Sequence, residues 1–117
     1  MKLPKSFVLH GHTIKVREVD KLKSNNFGHY DDAREEIVIA HKLEDADGEL
    51  VTLSSEQIEH TFYHELFHVF QWHAKGETNE WEAQSYAGLM LEFIKTSGIK
   101  IDPNIVHDPI NETYNEV

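Results

Sequence analysis

A chain of 117 residues, 39% of them hydrophobic, has material for one compact core and little for a second. Its 21 Asp and Glu against 11 Lys and Arg leave a formal net charge of -10, which argues against binding nucleic acid or an anionic membrane through bulk electrostatics. Without cysteine there are no disulfides and no thiolate ligands, so a transition metal would have to be held by His, Asp and Glu, and the nine histidines make that feasible.

The opening "MKLPKSFVLHGHTIKV" lacks the apolar run of a signal peptide, and no uncharged apolar stretch approaches the length of a membrane span. Those features read as a cytoplasmic protein. Phe7, Leu9, Ile14, Val16 and Val19, around the glycine at position 11, predict a hairpin or a pair of strands. "NNFGHYDDAREEIVIA" then supplies turn residues, a short aromatic run, a polar turn and a strand from Glu36 to Ala40. Together these pieces predict a small antiparallel sheet. The polar segment around Asp45 to Glu49 reads as a loop.

Ser54 with Gln57 three residues on, or Ser55 with Glu56, announces a helix from about Ser55 to Ala74. Its apolar residues, from Ile58 to Trp72, wrap most of the way round the axis, so burial on most sides is expected. Gly76 breaks it. Asn79 or Thr78 caps a second helix from about Glu80 to Thr96, in which Trp81 and Tyr86 read as core aromatics. The chain thus divides into a domain over residues 1–97 and a polar tail over 98–117, either packed over the domain or without fixed structure.

The first helix carries the chemistry, in "TFYHELFHVFQWH". With nine histidines an accidental HExxH is easily written, so the geometry has to support it. On a helix His64 and His68 lie about 40° apart and one turn along the axis, where two imidazoles can share an ion. Glu65 sits about 60° from His68 in projection, beside such an ion without having to ligate it. Three polar groups in an apolar helix are costly to bury unless something satisfies them, and a metal satisfies all three. His60 continues the ridge but is followed by threonine, and its plainer reading is an exposed residue of the first turn.

A catalytic zinc site usually takes a third protein ligand. Glu80 follows His68 across a short turn and opens the pattern Glu80, Ala83, Gln84, Ala87, a small and polar face on which Gln84 could hydrogen-bond a ligand. Glu82 competes with Glu80, but the two point about 200° apart on a regular helix and cannot both face the ion.

"HELFH" followed by "EWEAQSYAG" resembles the gluzincin arrangement of the small ImmA/IrrE-like metallopeptidases, with Gln84 standing where that pattern has Asn or Asp. The order of elements over roughly residues 3–96 also resembles short zincin-like proteins of bacteriophages and prophages. The resemblance implies an α+β, zincin-like fold in which a small antiparallel sheet packs on the HExxH helix and a second ligand-bearing helix. It implies Zn2+ held by His64, His68 and Glu80, and a metal-activated water with Glu65 as general base, hydrolysing a peptide or protein substrate. The alternative is a zinc-containing phage or prophage regulatory or binding protein without turnover, since a short chain offers little material for a cleft. An extended substrate could pair with the edge of the Glu36 to Ala40 strand. Tyr63, His73, Tyr86 and His107 each offer a group for the oxyanion, and the sequence does not choose among them.

Overall fold

The computed structural model describes residues 2–98. It is α+β: strands β1 (Ser6–Leu9), β2 (His12–Val19), β3 (Gly28–Asp31), β4 (Glu36–Ala40), β5 (Lys42–Glu44) and β6 (Leu50–Thr52) precede helices α1 (Ser55–Lys75) and α2 (Glu80–Ser97). β1 and β2 form the expected hairpin, closed by His10 and Gly11 at φ 51° and 76°. Both central residues of such a two-residue turn must be left-handed, which glycine accepts freely and histidine tolerates.

The main sheet has the order β1-β2-β4-β3, and β2 runs parallel to β4. The expected all-antiparallel sheet is therefore corrected to a mixed one. A parallel pair needs a crossover, and here the chain leaves β2, runs along the far edge as β3, and turns back antiparallel into the centre as β4. The central position suits "IVIA", since Ile37, Val38, Ile39 and Ala40 are all buried. It also corrects the proposed docking edge. β4 is paired on both sides and has none to offer, whereas β3 is an edge strand. Ala40 N–H donates to the Phe27 carbonyl at 2.9 Å. Backbone groups alternate sides along an antiparallel strand, so the peptide groups of Gly28 and Tyr30 turn toward the open edge.

The segment read as a loop forms a second small sheet, β5 against β6. Its turn is set by Asp45, whose Oδ1 accepts from the Asp47 and Glu49 N–H groups at 2.9 Å each, and by Gly48 at φ 80°.

α1 starts on the Ser54–Gln57 capping box, in which Ser54 Oγ accepts from Gln57 N–H and Gln57 Oε1 accepts from Ser54 N–H at 2.8 Å. Gly76, at φ 75°, ends it, and Asn79 caps α2 by accepting from Glu82 N–H at 2.9 Å. The core joins Ile14, Ile37 and Ile39 of the sheet to Phe62, Tyr63 and Val69 of α1 and Ala87 and Leu91 of α2.

Two expectations about aromatics are corrected. α2 lays its small face, Ala83 and Ala87, on α1, so Trp81, 80% exposed, points outward, and Tyr86 lies part-exposed at the rim of the helix contact, against Phe67. α1 is half-buried rather than enclosed, since Phe70 and Trp72 are exposed while the polar Thr61, Glu65, His68 and Gln71 are buried. The proposed tail lies outside the described residues but for Gly98. Among the described residues no helix is long and apolar enough to cross a membrane.

Candidate metal centre

α1 places His64 and His68 one turn apart with Nε2 atoms 3.1 Å from each other. The first residue of α2 brings Glu80 across to both, its Oε2 3.0 Å from His64 Nε2 and its Oε1 2.8 Å from His68 Nε2. One ligand atom from each of His64, Glu65 and His68 also lies within 4.8 Å of the others. The sequence-derived group is thus brought together in full, and Gln84 Oε1 lies 2.8 Å from His64 Nδ1, as expected of it.

His68 Nδ1 has a partner the sequence reading did not identify, Gln71 Oε1 at 3.0 Å. The amide of Gln71 has only one workable orientation. Its oxygen accepts the Asn79 N–H at 3.1 Å, while its nitrogen donates to the Asn79 carbonyl at 3.2 Å and to Glu82 Oε1 at 3.1 Å. Facing an amide oxygen, His68 must donate from Nδ1, which leaves Nε2 with a bare lone pair in the neutral ring. The Gln84 contact orients His64 in the same sense. With both rings neutral, two lone pairs and a carboxylate then meet within 3.1 Å. Ligands around a tetrahedral ion with bonds of roughly 2.0–2.1 Å stand about 3.3 Å apart, so a divalent ion fits this set, with His64 Nε2, His68 Nε2 and Glu80 as donors.

Glu82 does not join them, in line with its different helix face, but it reaches the site through Gln71. The signal for Gln71 was present in the sequence as a polar residue three positions after His68 inside an apolar run.

Glu65 is buried beneath β3. Burial, together with the Glu80 carboxylate, raises its carboxyl above the ordinary glutamate range, against the opposing effect of His68, His64 and His29. The approach of β3 to this residue depends on Gly28. A Cβ there would lie 2.7 Å from Thr61 Cγ2, 3.1 Å from the Val38 carbonyl oxygen and 3.3 Å from Glu65 Cγ.

In front of these residues opens a cleft of about 810 Å³, walled by Phe27 and Gly28 on the β3 side and by His60, Glu65, Glu80 and Gln84 on the helices. His60 is therefore corrected from an exposed first-turn residue to a half-buried part of the wall. Burial and, less strongly, His64 hold its imidazole below the ordinary histidine value. Of the groups considered for the oxyanion, Tyr63 lies in the core, and Tyr86 packs at a tilt against Phe67, ring centroids 5.6 Å apart. His73 meets the β1–β2 turn, and His107 is outside the described residues. Comparison of the chain with protein-family models, with curated proteins and with solved structures finds no match.

Proposed function

We propose that this protein is a zinc-dependent peptidase of the gluzincin type, in keeping with its resemblance to the ImmA/IrrE-like and phage-borne zincin-like proteins. The observation that carries the reading is the convergence of His64 Nε2, His68 Nε2 and Glu80 beside a buried glutamate at the floor of an open cleft. Bound there, zinc would supply Lewis acidity, polarising a carbonyl and lowering the pKa of water. Glu65 is the general base. Its raised proton affinity suits a group that takes a proton from the nucleophile and returns it to the leaving amine. Gln71 and Gln84 hold the two imidazoles by their Nδ1 sides. An extended peptide as substrate is supported by the outward peptide groups of Gly28 and Tyr30 on an unpaired strand edge, of which Gly28 borders the cleft.

The decisive comparison is wild type against Glu65→Gln. The variant is expected to keep zinc and fold while losing hydrolysis of a broad peptide library by at least about 10²-fold. A wild type that holds zinc yet cleaves nothing the variant spares would replace the peptidase with a zinc-bearing regulatory or binding protein. A wild type that holds no zinc would remove both.

A further inference from the structure

At the far end of α1 from the cleft, a second group of metal-ligating side chains converges from three separate parts of the chain. Glu35, in the β3–β4 turn, directs Oε2 to His12 Nδ1 at 3.1 Å and Oε1 to His73 Nε2 at 3.4 Å. His10, at the β1–β2 turn, completes the cluster, its ring centroid 5.7 Å from that of His73, while the His12 and His73 rings stand 5.3 Å apart. We propose that His12, Glu35 and His73 bind a second divalent transition-metal ion, with His10 poised at its rim.

Four observations support the site. First, His73 Nε2 is enclosed by protein and has no hydrogen-bond partner, because Glu35 lies within ion-pair range of it but outside hydrogen-bonding geometry. A buried polar atom without a partner is expensive, and a coordinated ion would satisfy it.

Second, Glu35 presents one carboxylate oxygen to each imidazole. These contacts of 3.1 and 3.4 Å bracket the roughly 3.3 Å between neighbouring ligands of a tetrahedral ion. Two imidazoles on one such ion place their centroids about 5 Å apart, which is near the 5.3 Å of His12 and His73 and the 4.8 Å of His64 and His68.

Third, the backbone is held in an uncommon conformation where one of these ligands arises, with Glu35 at φ 51°. A left-handed glutamate is unusual, and such strain gathers at sites that use the geometry. Fourth, His73 belongs to the last turn of α1, where the unpaired carbonyls of a helix favour a cation. A cavity of about 160 Å³ lined by Leu9, His10 and His73 lies beside the cluster. The donor set of imidazole and carboxylate suits zinc, nickel or copper better than magnesium or calcium.

Stoichiometry provides the test. The full chain, loaded with excess zinc and desalted, is analysed for metal as wild type, as His12→Ala and as His64→Ala, with melting curves to confirm folding. His12 is exposed, so its loss should leave the fold intact, which the buried His73 would not guarantee. Two equivalents in wild type and one in each variant are expected. One equivalent in wild type that survives in His12→Ala and disappears in His64→Ala would overturn the second site and leave the cleft site standing. The reverse pattern, one equivalent lost only in His12→Ala, would support the second site and overturn the first. Two equivalents unaffected by His12→Ala would refute this ligand set.

Discussion

Gln71 holds His68 from behind and is itself held by the Asn79 backbone and the Glu82 carboxylate. A ligand whose far nitrogen is fixed loses less freedom when it coordinates, and outer partners of this kind typically carry a factor of 10–100 in metal affinity. Gln71→Met keeps the volume and removes the hydrogen bonds, so zinc affinity measured by chelator competition should fall by about that factor. Glu82→Ala should fall by less than about tenfold, because Asn79 still positions the amide. Equal affinities for Gln71→Met and wild type would show that His68 needs no support. The candidate ligands His64 and His68 were legible in the sequence because HExxH spacing is a local geometric rule. Gln71 was less so, since its role depends on where the turn after Gly76 places Asn79.

His60 gives a pH signature. Its folded-state value lies below the ordinary 6.5, with burial the main cause. As pH falls through about 6.5, the unfolded chain therefore takes up a proton before the folded one does, and stability falls with it. Above that range the ring contributes no pH dependence. His60→Gln should flatten this part of the acid limb in melting midpoints of chelated protein, between about pH 7.5 and 5. Parallel curves for variant and wild type would mean that burial leaves the imidazole free to charge.

At the level of elements, both helices could be read from the sequence to within a residue or two, because caps and breakers are local: Ser54 with Gln57, Gly76 and Asn79 each act within one turn. The sheet could not. Nothing local to "HTIKV" or "EIVIA" announces that the two lie side by side and parallel, since that pairing depends on β3 travelling to the far edge first. The β5–β6 hairpin was hidden because its strands are three residues each, too short to show an alternation, with every position of β6 exposed. At Gly28 strand and helix meet closely. Gly28→Ala should destabilise the protein by about 1–3 kcal/mol through overpacking against Thr61 and the β4 backbone. A denaturation midpoint unchanged by the methyl would mean that β3 can move away from α1 without cost.

Taken as a whole, the molecule has a sheet knitted around β4 and a helix α2 that is joined to it through α1. The apolar face by which α2 holds on is modest, with Ala83, Ala87 and Leu91 its buried residues, while Trp81, Leu89 and Phe93 are exposed. Glu80, at its first residue, meets both histidines of α1. An ion in the cleft would thus act as a clasp for the element with least apolar anchorage, and removing it should change local opening before global unfolding. In hydrogen–deuterium exchange, chelation should speed exchange of α2 amides while those of β4 stay slow. If the two respond alike, α2 is not held by the ion. If they separate, the centre is also a fastener, and its occupancy decides how often the cleft's second wall swings away from the first.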